Sequence, residues 1–384
     1  MAELQQEFQK QFGKPPELTV RAPGRVNLIG EHTDYNEGFV FPAAIDRVMN
    51  IAASPVDGKT VTVYSLDYRQ KDSFSLDAIE KSQYGWANYL RGVLKIMRDA
   101  GHKVTAFNAV ISGDVPQGAG LSSSAAYEVA VARLVSTMGS IGLSGKNIAL
   151  LSQRAENQFV GVQCGIMDQF ISALAERDSA LLIDCRNLEY RAVKLNLEAR
   201  GVSIVITNSG VQRGLVDSEY NARRNECAEG VRLLGELSGH PIHSLRDVSL
   251  SDLDEFSTQL PEVVARRCHH VVSENHRVLA AVEKLEQGHL RSLGKLMNES
   301  HASLRDDYQV STPEVDLLVN LTQNHPGTLG ARMTGAGFGG CTVAIMETTT
   351  VDEFVKNVLP LYEKQTGRKP EVYVCTAVDG ASVN

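Results

Sequence analysis

The sequence holds a single tryptophan, six cysteines and no long apolar run in 384 residues. No stretch reaches the ~18 consecutive apolar residues that a membrane-spanning helix requires. The first residues, MAELQQEFQKQFGKPP, lack the apolar centre of a secretory signal. The cysteines (Cys164, Cys185, Cys227, Cys268, Cys341 and Cys375) show no CxxC spacing. In a chain this long that excludes a disulfide framework and a thiolate zinc site, and it predicts reduced thiols. Basic excess is also missing. The formal net charge is -8, which argues against a surface that tracks nucleic-acid phosphates. Arg223-Arg224 and Arg266-Arg267 stand among acidic neighbours in helical stretches and read as solvated faces. Cys268-His269-His270 resembles a ligand cluster, but adjacent side chains on a helix diverge, so no metal site is expected there. The chain is therefore expected in the cytoplasm, with no membrane, nucleic acid or obligate protein partner.

What is present is the composition of a globular protein, 43% hydrophobic and 22% charged. The length predicts two domains. Short β-branched runs bounded by Gly, Pro or Asp predict strands over 18–22, 26–30, 48–54, 60–65, 104–112 and 180–184. Helices are expected over 86–100, from Ser122 onward, and over 147–160. A second block opens with a strand at 201–207, continues with helices at 217–234, 261–286 and 290–304, and closes with strands at 340–346 and 371–375 around a helix at 351–364. The pattern predicts an α+β class with two domains, 1–198 and 199–384, joined between Leu195 and Gly201.

Three clusters carry chemistry. Pro116-Gln117-Gly118-Ala119-Gly120-Leu121-Ser122-Ser123-Ser124 places a glycine turn and three serines between a strand and a helix. Glycine N–H groups and a helix N-terminus suit an anion such as a nucleotide phosphate; the plainer reading is a turn with a capping serine. The loop lacks the lysine of GxxxxGK[ST], so phosphate charge must be offset elsewhere. Glu156 and Asp168, each beside apolar residues, are the candidates, against the alternative of solvated helix acids. A second stretch, Arg21 to Tyr35, packs Arg25, Glu31, His32, Thr33 and Asp34 behind a strand. These groups suit sugar hydroxyls and anionic charge, or else form a polar hairpin loop. Gly335-Ala336-Gly337-Phe338-Gly339-Gly340 matches GxGxxG formally, but it leads into a strand rather than a helix and reads as a tight loop lining a cleft.

In order along nearly the whole chain, PGRVNLIGEHTDYN (Pro23 to Asn36), VPQGAGLSSSAA (Val115 to Ala126) and RMTGAGFGGC (Arg332 to Cys341) resemble the motifs of the galactokinase branch of the GHMP small-molecule kinases. The resemblance implies a ribosomal-protein-like N-terminal domain and a ferredoxin-like C-terminal domain with the site between them. It implies phosphoryl transfer from ATP to the C1 hydroxyl of D-galactose, the first committed step of the Leloir pathway. Asp168 then matches the catalytic aspartate and Arg25 its partner. Glu31, His32, Thr33, Asp34, Gly165 and Tyr220 match sugar-contacting positions. Gly118, Ala119, Gly120, Leu121, Ser122, Ser123 and Ser124 hold the ATP phosphates, Ser124 and Glu156 ligate Mg²⁺, and Trp86 and Tyr89 border the adenine, unless they serve only packing. Alternatives are a kinase for another sugar such as N-acetylgalactosamine, a non-catalytic sugar sensor and, from GxGxxG alone, an oxidoreductase. The unbroken serine run and the aspartate favour catalysis over sensing.

Overall fold

A computed structural model describes residues 1–212, 216–239 and 241–384, the side chains of 216–218 excepted. The first half is built on a six-stranded sheet in the order Ser382–Val383, Leu18–Asn27, Pro42–Pro55, Phe107–Gly113, Thr60–Ser65, Gln70–Ser75. Every pairing is antiparallel except that of Thr60–Ser65 with Phe107–Gly113. The two strands expected at 18–22 and 26–30 are one, Leu18–Asn27, with a register shift between Pro23 and Arg25. Gly24 occupies that shift because a Cβ there would lie 2.6 Å from the Leu121 carbonyl oxygen. The chain leaves the sheet at Asn27, three residues before the expected end, and so frees Glu31 to Asp34 from strand pairing.

Helix Ser123–Met138 lies against this sheet and is apolar nearly all round, as a fully enclosed helix must be. Helix Ala87–Asp99 stops at Gly101, whose φ of 82° suits glycine. Helix Gly145–Ala155 runs into a π-turn, Glu156–Val160, and the short helix Met167–Leu174 carries Asp168. The second half holds an antiparallel four-stranded sheet in the order Thr328–Met333, Cys341–Glu347, Val202–Asn208, Glu371–Cys375. Helices Val216–Ser238, Glu262–Glu286, Leu290–Asp306, Pro313–Gln323 and Val351–Thr366 accompany it. The α+β architecture is as expected. One apolar core joins the halves, with Val26 and Ile45 in the same cluster as Ile204, Val343 and Ile345. The chain also returns to its beginning, since Val383 pairs with Val20.

Two expected surface arginines are buried. Arg223 donates to the carbonyls of Tyr308 (2.8 Å) and Gln309 (2.9 Å). Arg267 donates to Glu226 (2.6 Å), to the Asp307 carbonyl (2.5 Å) and to Gln309 Oε1 (3.0 Å). The turn after helix Leu290–Asp306 presents carbonyls that no backbone amide can reach, and guanidinium donors satisfy them. The residues beside Arg267 diverge as a helix demands. Cys268 is buried, His269 Nδ1 lies 3.0 Å from Asp307, and His270 Nε2 lies 3.1 Å from the Glu31 carbonyl oxygen.

Candidate active site

The three clusters converge on one cleft of about 370 Å³, between the halves of the chain. At its centre the Arg25 guanidinium grips Asp168 as a fork, Nε to Oδ1 and Nη2 to Oδ2, both at 2.8 Å. The third donor, Nη1, reaches the Gly120 carbonyl at 2.6 Å. Arg25 is thereby committed to both the acid and the glycine loop, and only a planar fork can serve both. Asp168 also accepts from the Ser122 hydroxyl. Ser122 has a left-handed backbone (φ 60°) and makes no side-chain cap, so its hydroxyl is turned toward the acid and away from the helix amides.

Gly118 (φ 66°) and Gly120 (φ 85°) give the loop its positive dihedrals. Ala119 and Leu121, expected in the same loop, are buried and do not line the cleft. Ser122, Ser123 and Ser124 line it at the N-terminus of a 16-residue helix, where amide hydrogens lack intrahelical partners.

The loop after Asn27 forms the opposite wall. Burial, and then the charge of Asp168, raise the Asp34 carboxyl to about 6. It accepts from the Tyr35 amide at 3.0 Å and sits so close to Gly165 that a Cβ there would lie 1.7 Å from Oδ2. Glu31 is buried and accepts from the Gly335 amide at 2.7 Å and the Thr334 hydroxyl at 3.2 Å. The Gly335 to Gly340 loop thus joins the wall of the same cleft through Gly335 and Ala336, as the turn of a hairpin and not a dinucleotide turn. His32 has φ 63°, and its Nδ1 lies 2.7 Å from the Tyr35 hydroxyl. Burial, His270 and nearby arginines hold its pKa well below the usual range, so the ring is neutral. Its ring lies 5.6 Å from that of Tyr220, which also lines the cleft. Thr33 does not line the cleft. Its hydroxyl is spent on the Gly30 (2.9 Å) and Phe39 (2.6 Å) carbonyls, so it shapes the loop rather than facing a ligand.

Glu156 lines the cleft beside Ser124. Burial raises its pKa, while a hydrogen bond from Ser124 opposes the rise. Tyr89 reaches the cleft and Trp86 does not. Trp86 donates from Nε1 to Gln70 at 2.9 Å and lies parallel to Tyr68 and Tyr84, each 6.4 Å away. Sequence reasoning missed Gly161, Val162, Gln163, Cys164 and Asn221 on the cleft wall, and Glu128 and Gln169 behind it. Only Glu128 carried a signal, an acid inside the apolar run AAYEVAVA.

The galactokinase galactose-binding signature matches residues 6–55, the GHMP kinase N-terminal domain matches 88–176, and the GHMP kinase C-terminal domain matches 281–362. A galactokinase of Roseiflexus sp. (strain RS-1) is 51% identical over 98% of this chain and 96% of its own. The chain belongs to the galactokinase family. A second relative, the galactokinase of Chloroflexus aggregans, is 50% identical over 98% of this chain and 95% of its own. The crystal structure of Lactococcus lactis galactokinase complexed with galactose superposes with a TM-score of 0.95 at 36% identity, covering 99% of both chains. A mevalonate kinase structure at 20% identity, with a TM-score of 0.65 over 94% of this chain and 99% of its own, shares the fold. Family membership makes this protein an ATP-dependent sugar kinase. Among the described residues no helix is long and apolar enough to cross a membrane.

Proposed function

We propose that the cleft transfers the γ-phosphoryl group of ATP to the C1 hydroxyl of D-galactose, with Asp168 as the acceptor of the hydroxyl proton. The observation that carries the reading is the Arg25 fork, which joins the acid to the phosphate loop through 2.8 Å and 2.6 Å bonds. The O1–Pγ bond forms as the bond from Pγ to the bridging oxygen of ADP breaks, and the O1 proton passes to the Asp168 carboxylate. Arg25 holds that carboxylate in place through its two-point fork and stands beside the developing phosphoryl charge. Phosphoryl transfer is largely loose, so alignment by Arg25 and the loop amides matters as much as the base. Glu31, His32, Asp34, Gly165 and Tyr220 would hold the sugar, and the amides of Gly118 to Ser124 the phosphates, with Tyr89 near the base. Trp86 would act through packing.

Ser124 and Glu156 would hold Mg²⁺. Their hydroxyl and carboxylate are hard oxygen donors on one wall of the cleft, and the loop lacks a lysine, so the set fits. When bound, the ion offsets charge on the β- and γ-phosphates. No disulfide joins cysteines among the described residues, which supports a cytoplasmic setting. The test is Asp168→Asn, followed by ADP release and by calorimetric galactose titration. Turnover should fall by at least ~10²-fold while galactose still binds. Near-parental turnover would remove Asp168 from the mechanism.

A further inference from the structure

Glu128 lies four residues beyond Ser124 on helix Ser123–Met138, and so on the same face. Its neighbours Ala125, Ala126, Val129 and Ala130 are buried, and Glu128 itself has no exposed surface. A carboxyl group in that setting costs stability that an apolar side chain of similar size would not. The helix needs nothing polar there, so the reason must lie across the interface. Gln169 Nε2 donates to Glu128 Oε2 at 3.1 Å and to Glu156 Oε2 at 2.6 Å. Glu128 Oε1 and Gln169 Oε1 meet no hydrogen-bond partner among the described residues. One amide group thus spans three elements: the serine helix, the π-turn that opens at Glu156, and the helix on which Gln169 follows Asp168. The bridge holds one oxygen of Glu156 and restricts rotation of its carboxylate.

We infer that Glu128, acting through Gln169, is a positioning residue that sets the Glu156 carboxylate relative to the Ser124 hydroxyl for the divalent cation that accompanies ATP. The inference rests on the reading of Ser124 and Glu156 as cation ligands. Outer-sphere partners of this kind orient a ligand without touching the ion, and their loss weakens metal binding.

The test titrates Mn²⁺ into the full-length enzyme with saturating ADP, read by electron paramagnetic resonance, with galactose affinity measured separately by calorimetry. Glu128→Met should raise the Mn²⁺ dissociation constant about 10- to 100-fold while galactose affinity changes less than about twofold. Unchanged Mn²⁺ affinity in the folded variant would overturn the inference, and so would parallel loss of Mn²⁺ and galactose, the mark of general damage. If Glu128→Met does not fold, Gln169→Met cuts the bridge from its other end, and the same outcomes apply. Glu156→Gln separates the layers of the argument. Unchanged Mn²⁺ affinity in that variant sinks the ligand reading and the inference with it. Weakened affinity there, beside parental affinity in Glu128→Met, sinks the inference alone.

Discussion

Gly165→Ala is the sharpest probe of the sugar wall, because one methyl group meets one carboxylate. An added Cβ would stand 1.7 Å from Asp34 Oδ2 and 2.2 Å from its Cγ. Real Cβ contacts essentially never fall below 3.0 Å, so the carboxylate must retreat by more than about 1.3 Å. Asp34 is held there by the Tyr35 amide at 3.0 Å and the Met167 amide at 3.5 Å, and it can swing away without unfolding the loop. A displacement near 1 Å can cost ~10²-fold in a positioned reaction, or about 2.7 kcal/mol in kcat/KM. The assay is coupled ADP release over a galactose series, with thermal unfolding alongside. The expected outcome is a ~10²-fold fall in kcat/KM for galactose with an unfolding midpoint within about 4 °C of the parent. In an Asp34→Ala background the methyl group has nothing to displace, so the two effects should be strongly non-additive. A change below about threefold, or full loss persisting in that background, would refute the reasoning.

Asp34 also makes a pH prediction. Its raised pKa of about 6 means that the free enzyme loses this acceptor as pH falls through that value, so kcat/KM for galactose should decline on the acid side. Asp34→Asn should lack this limb, and a parental profile flat from about pH 7 to 5 would contradict it. Elsewhere, Arg267→Ala strips donors from Glu226, the Asp307 carbonyl and Gln309 at once. The Glu226 left behind has 26% of its side chain exposed, so the loss should cost about 1–3 kcal/mol in urea unfolding, and no measurable cost would show the site to be solvated after all.

Much of this was legible in the sequence, and the failures have physical causes. Strand Glu371–Cys375 and helix Val351–Thr366 stood out because their apolar periods are bounded by Gly and Pro. Helix Ala2–Phe12 did not, since only Leu4 and Phe8 are buried in an otherwise polar run. Helix Met167–Leu174 is too short and too apolar to show a period, and strand Thr328–Met333 hides behind Gly330 and Arg332. Asp168, Arg25, Asp34 and Glu156, distant in sequence, line one cleft. Thr33 and Trp86 turn elsewhere because their hydrogen bonds go to Phe39 and Gln70, contacts that no spacing rule reveals. The buried arginines misled for the same reason. Carbonyl partners are backbone, and backbone has no letter.

The apolar seam from Val26 and Ile45 across to Ile204 and Val343 constrains how such a chain can change over generations. The second half keeps an apolar cluster of its own around Val205, Leu234, Met346 and Phe354, but its Ile204, Val343 and Ile345 belong to the same cluster as Val26 and Ile45 of the first half. A substitution on one side of the seam is judged by the shape of its opposite face. Recombination between the halves would succeed only between parents whose facing surfaces already match, which ties the inheritance of the first half to that of the second.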